Sequence, residues 1–138
     1  MSYLLVVEDD KDSAEALCRY LSKSGYEVDW KPNGREALTS ILQRTPDLVI
    51  LDLLMPYMDG PSLLEVLRSY RRFQSLPVVV FTGVIDSTLA ERARHLNVTV
   101  VLAKGRATVH DVLLAVSREL PPTPPPQARG SCCSSPHT

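Results

Sequence analysis

Tyr3 to Asp10 reads YLLVVEDD, an aromatic and four aliphatic residues running straight into Glu8, Asp9 and Asp10. A short apolar run without polar alternation is the pattern of a strand buried on both faces of a parallel sheet. Three adjacent carboxylates at its end repel one another, and beside a low-dielectric core that repulsion raises at least one pKa. Solvent, helix-terminal N–H groups or a cation must offset the cost.

Four further runs lie downstream: YEVDW (26–30), DLVILDLL (47–54), LPVVVF (76–81) and VTVVLA (98–103). Between the runs the apolar spacing is helical. Ala14, Leu17, Cys18 and Leu21 fall on one face, as do Leu63, Leu64, Val66 and Leu67, and later Val109, Val112, Leu113 and Val116. Glu36 to Leu42 continues the pattern after the turn Pro32-Asn33-Gly34. Asp10 with Asp12 suits the start of the first helix, Asp12 and Glu15 having capping-box spacing. Asp86 or Ser87 suits the cap of a helix through Leu96, which Asn97 can end in a left-handed conformation. Arg68, Arg71 and Arg72 read as a solvated helix face.

The alternation is β-α five times over, which implies a parallel sheet with right-handed crossovers and helices on both faces. A closed barrel of eight units needs about 250 residues, so 138 exclude it. The expected fold is α/β, an open doubly wound five-stranded parallel sheet in the order 2-1-3-4-5. Residues 1–120 form the expected domain. Residues 121–138, PPTPPPQARGSCCSSPHT, read as a disordered Pro-rich tail or linker that adds nothing to folding.

Composition narrows the function. A net charge of −1 gives no basic footprint, so no nucleic-acid partner is expected within this chain. No apolar run approaches the roughly 20 residues of a membrane span, and no signal peptide is read at the start. Cys18, Cys132 and Cys133 make an odd count without a spaced framework, which argues against a disulfide scaffold and for a reducing cytoplasm. Cys132 and Cys133 read as incidental, since no second ligand pair accompanies them.

Ligands of open α/β sheets bind beyond the carboxyl ends of the strands, where the strand order reverses. Those ends carry Glu8 and Asp9 after strand 1, Asp52 in strand 3, Thr82 after strand 4 and Lys104 after strand 5. An acid after a strand is most often a helix cap, and a lone Thr or Lys there a turn residue. Five such residues converging on one rim suit a different chemistry. Three carboxylates with room for water and phosphate suit Mg²⁺. Lys and Thr suit phosphoryl oxygens, and a carboxylate can be the nucleophile that forms an aspartyl-phosphate.

Over residues 3–120 the chain resembles the receiver domain of two-component response regulators, of the chemotaxis-regulator kind. VVEDD matches the acidic pocket, LDLLMPYMDG the phospho-acceptor segment, VVVFTG the hydroxyl-bearing strand, and VLAKG the strand that ends in a lysine. The resemblance implies a flavodoxin-like (βα)5 fold and a bacterial, cytoplasmic phosphoprotein whose acceptor is Asp52. It implies Mg²⁺ (or Mn²⁺) held by Asp9, Asp52 and the Leu54 backbone carbonyl, with Glu8 acting through metal-bound water. Thr82 and Lys104 would contact the phosphoryl group. A histidine kinase or histidine phosphotransfer protein would donate it, and helix 4, strand 5 and helix 5 would pass the signal to a downstream protein. A weak dimer is left open. No dedicated turnover enzyme is implied, only catalysis of the domain's own phosphorylation and dephosphorylation.

Departures from the family pattern set further expectations. Val101 stands where an aromatic switch residue is common, and valine is too short and stiff at χ1 for such a swing. Gly105 stands where a cis proline commonly follows the lysine, so a trans bond is expected there. Leu54 and Val84 occupy the positions best placed to tune the lifetime of the phosphorylated state. The alternative function is a phosphorylation-independent pseudo-receiver that serves as a binding module. A phosphatase of the haloacid-dehalogenase type would need an Asp where Leu54 stands, and a dinucleotide binder a glycine-rich loop that VVEDDKDS lacks.

Overall fold

A computed structural model describes residues 2–121. The order is β1 (Tyr3–Val7), α1 (Lys11–Lys23), β2 (Glu27–Lys31), α2 (Gly34–Gln43), β3 (Leu48–Leu51) and α3 (Gly60–Ser69). A 3-10 turn (Arg71–Phe73), β4 (Val78–Thr82), α4 (Thr88–Arg94), β5 (Val100–Ala103) and α5 (Val109–Glu119) complete it. The strands pair in parallel in the order β2-β1-β3-β4-β5, as expected. The tail from residue 122 on, with Cys132 and Cys133, lies outside the described residues.

Side-chain alternation divides the core into two layers. Leu5 and Val7 of β1 join Val49 and Leu51 of β3 under α2, α3 and α4, whose contributions include Ile41, Leu63, Leu67 and Ala90. Leu4 and Val6 face the other way with Leu48 and Ile50, against Leu17 and Leu21 of α1 and Val112 and Val116 of α5. β1, β3 and most of β4 are therefore buried on both faces, and only the edge strands β2 and β5 keep partial exposure.

Each long helix starts at a polar cap in the loop that precedes it. Asp10 accepts from the Asp12 N–H, Asn33 from Glu36, Asp59 from Ser62 and Ser87 from Ala90, and Thr108 forms a capping box with Asp111. Asp12 therefore sits inside α1 rather than capping it. Of the two caps considered for α4, Ser87 does the work. Asn97 is left-handed at φ 59°, as expected, although α4 itself stops at Arg94.

Arg68 corrects the reading of a solvated arginine face. Its guanidinium donates to the carbonyl oxygens of Phe73, Leu96 and Asn97 at 2.6, 2.8 and 2.9 Å. It thereby ties the end of α3 to the backbone that follows α4. A helix-periodic sequence pattern cannot show this, because the acceptors are carbonyls made available only where the 3-10 turn and α4 end. Arg71 and Arg72 are exposed, as expected.

Candidate functional site

The site forms where β1 and β3 lie side by side and their crossovers leave in opposite directions. Asp52 directly follows β3, and its N–H donates to the Val7 carbonyl at 3.0 Å, which joins the ends of the two strands. Glu8 directly follows β1, and its N–H donates to the Lys31 carbonyl at 3.1 Å. Register thus delivers both acids to one rim. Glu8, Asp9 and Asp52 each bring a carboxylate oxygen within 4.8 Å of the others. Glu8 and Asp52 are buried and Asp9 is exposed.

Lys104 closes the arrangement from β5. Its backbone N–H donates to the Thr82 carbonyl at 2.9 Å, and its ammonium donates to both Glu8 and Asp52, the latter at 3.3 Å. The loop after it turns on Gly105 at φ 92°, and the peptide bonds of the described residues are all trans. Gly105 carries the positive φ that a side chain would resist. Thr82 is fully buried, and its hydroxyl oxygen accepts from the Val84 N–H at 3.2 Å. Glu8, Asp9, Asp10, Asp52, Leu54, Thr82, Gly83, Val84 and Lys104 line one open cleft of about 290 Å³. All the site residues expected from the sequence except Val101 therefore meet in one place. Val101 lies in β5, half-buried against the layer beneath α4.

The repulsion posed by adjacent carboxylates is met in this structure by the Lys104 ammonium. Burial pushes the Glu8 carboxyl up to about 7; the Lys104 hydrogen bond opposes this and the Asp52 carboxylate adds to it. Burial also works against the Lys104 ammonium, but Glu8 and Asp52 outweigh it and hold its pKa above the ordinary lysine value. Glu8 binds its proton more tightly folded than at its ordinary 4.5. Folding stability from this group is therefore full at low pH and falls as pH rises from about 4.5 to 7. Cation binding runs the other way, because it needs the ionised acid. A divalent cation, if these carboxylates hold one, should bind on the order of tenfold more weakly at pH 6 than at pH 8, a loss calorimetric titration at the two pH values will measure. An affinity flat over that range would contradict an uncharged Glu8.

Two features of the cleft were not anticipated. Tyr57, in the loop that links Asp52 to α3, is left-handed at φ 68° and 81% exposed. A non-glycine residue in that region costs roughly 1–2 kcal/mol, and the sequence carries no signal for it beyond the preceding Pro56. Trp30, at the end of β2, donates its indole N–H to the Glu8 carbonyl at 2.7 Å. The sequence shows it only as the last residue of the run YEVDW.

A family model described as the response regulator receiver domain matches residues 4–114. The chain belongs to this family. The receiver is 46% identical over 95 residues to the response regulator MprA of Mycolicibacterium vanbaalenii, a match covering 68% of this chain and 39% of that protein. The receiver thus spans about two fifths of that relative. Among solved structures it is similar to the receiver domain of a signal transduction histidine kinase from Syntrophus aciditrophicus. That likeness has a TM-score of 0.79 at 28% identity, covering 99% of this chain and 98% of that one. It is also similar to the Vibrio cholerae chemotaxis protein CheY4, with TM-score 0.78 at 25% identity over 87% and 99% of the two chains. Receivers are signalling modules rather than dedicated enzymes, and no helix of the described residues is long and apolar enough to cross a membrane.

Proposed function

We propose that this receiver accepts a phosphoryl group on Asp52. One observation carries the reading: a buried carboxylate stands 3.3 Å from the Lys104 ammonium, with two further carboxylates within 4.8 Å. A carboxylate oxygen of Asp52 attacks phosphorus as the bond to the donor's histidine nitrogen breaks. Lys104 then leaves its ion pair with Asp52 for a phosphoryl oxygen, and the Thr82 hydroxyl turns from the Val84 N–H to another. Three oxygen donors at this spacing fit a hard divalent cation. Asp9, Asp52 and the Leu54 carbonyl would hold Mg²⁺ or Mn²⁺, with Glu8 acting through water, and the ion would supply charge neutralisation.

The donor is a histidine kinase or a histidine phosphotransfer protein, met in the cytoplasm. Output runs through the α4–β5–α5 face to a downstream protein, and Val101 keeps the rearrangement of that face modest. The pseudo-receiver alternative draws on Gly105, yet Lys104 reaches Asp52 and Glu8 despite it.

Incubation with acetyl phosphate and Mg²⁺ should give a phosphoryl mass adduct that disappears in Asp52→Ala and on chelation. Asp9→Ala should weaken metal binding more than Glu8→Ala does. An adduct that persists in Asp52→Ala without metal would overturn the proposal.

A further inference from the structure

Glu8 is held by its backbone from both sides, and both anchors come from the end of β2. The Lys31 carbonyl receives its N–H at 3.1 Å, and the Trp30 indole donates to its carbonyl at 2.7 Å. The second bond is unusual for its place, because beyond Val7 the β1–β2 ladder has run out and a side chain takes over. The carbonyl of Glu8 belongs to the same rigid peptide plane as the N–H of Asp9. Fixing that oxygen therefore fixes the direction in which the chain leaves toward Asp9. Asp9 is exposed, so packing does little to orient it. The far side of the loop is pinned as well, with the Asp10 N–H donating to Glu8 Oε2 at 3.2 Å and Asp10 capping α1.

We infer that Trp30 is a positioning residue for the acidic pocket: its indole N–H sets the Glu8–Asp9 peptide and through it the aim of the Asp9 carboxylate. The indole is half-buried against the layer under α1 and α5, so the donor is carried on a packed ring rather than on a mobile side chain. Groups that orient the ligands of a metal site govern its affinity nearly as strongly as the ligands themselves. The inference builds on the proposed cation site, but its structural half stands apart from any metal.

Trp30→Phe keeps an aromatic ring and removes the N–H. In metal-free protein the Asp10 amide, which donates to Glu8 Oε2, should then exchange with solvent faster, while amides in the middle of β1 and β3 stay protected. Calorimetric titration should give Mg²⁺ affinity weakened about tenfold relative to the unmodified protein. Tyr26→Phe is the control, because it deletes a bond from β2's other end, Tyr26 Oη to the Leu120 carbonyl at 2.5 Å. It should lower the melting temperature and leave both the loop exchange and the affinity unchanged. Loop exchange unchanged in Trp30→Phe overturns the inference whatever the metal does. Faster exchange with undiminished affinity overturns the link to Asp9 and leaves the cation site standing. If the unmodified protein binds no Mg²⁺, the cation site itself fails, and loop exchange alone decides the role of Trp30.

Discussion

With Asp52 phosphorylated as proposed, replacing Leu54 with Asn and Val84 with Glu should shorten the lifetime of that state by on the order of tenfold or more. The phosphate on an aspartate is lost when water attacks in line, and a side chain that holds that water accelerates the attack. Leu54 and Val84 both line the cleft beside Asp52, Leu54 with 59% of its surface exposed and Val84 half-buried. Neither can hydrogen-bond a water, and Gly83 between Thr82 and Val84 adds no polar group. The expected behaviour of the unmodified protein is slow self-dephosphorylation, suited to a signal that persists. Radiolabel decay or the recovery of unphosphorylated mass, followed side by side for the two proteins, measures the difference. Equal lifetimes would show that neither position reaches the attacking water. Leu54 stands exposed at the mouth of the cleft, whereas Val84 also packs against the core layer beneath α4, so the double variant should lose some stability through Val84 and its lifetime is to be compared at a temperature where both proteins are folded.

Gly60→Ala should be strongly damaging beside the site. A Cβ at Gly60 would lie 2.7 Å from the Asp52 carbonyl oxygen and 2.8 Å from the Leu53 Cα. Both are backbone atoms, so no rotamer change relieves the clash. The Gly60 N–H also donates to the Leu53 carbonyl at 2.9 Å, which presses the start of α3 directly against the acceptor segment. Overpacking a tight core costs roughly 1–3 kcal/mol, and a rigid backbone neighbour puts this case at about 3. For a domain of this size that lowers the melting temperature by roughly 10 °C. Thermal unfolding followed by circular dichroism checks it. Phosphorylation should suffer beyond the loss of stability, since moving the clashing carbonyl means moving Asp52. Gly83→Ala serves as the contrast, because a Cβ there meets nothing within 4 Å.

The fold was legible because β1, β3 and β4 are apolar throughout and every crossover carries a helical face. Five β-α units with too few residues for a closed barrel left an open doubly wound sheet, and of its common orders five strands suit 2-1-3-4-5, the one observed. The members of the site were legible too, since the carboxyl end of a parallel strand is a position the sequence marks. What could not be read was how those residues use one another. Glu8 was expected to face a metal through water, but its ammonium partner, Lys104, comes from 96 residues away. That pairing depends on how far a loop with Gly105 lets the lysine reach. Arg68 and Trp30 were missed for one shared reason. Each donates to backbone carbonyls, and the sequence contains no mark of which carbonyls the fold leaves unpaired. Of Asp10 and Asp12, both read at the start of α1, Asp10 is the cap and Asp12 lies in the first turn, because helix starts are decided within a residue or two by local hydrogen bonds.

The two ends of α4 are fastened unequally. Its start is held by the Ser87 cap, which accepts from Ala90 at 3.2 Å, whereas the backbone beyond its end is gripped by two of the bonds from Arg68. Bonds to a charged donor contribute roughly 1.5–3 kcal/mol each and a cap about 1. If the proposed phosphorylation pulls on the loop after Thr82, the near end of α4 is expected to swing further than the far end, even though Ser87 also donates to the Val84 carbonyl at 2.5 Å. On that expectation a downstream protein docked on the first turn of α4 would sense a larger stroke than one docked only on its last turn.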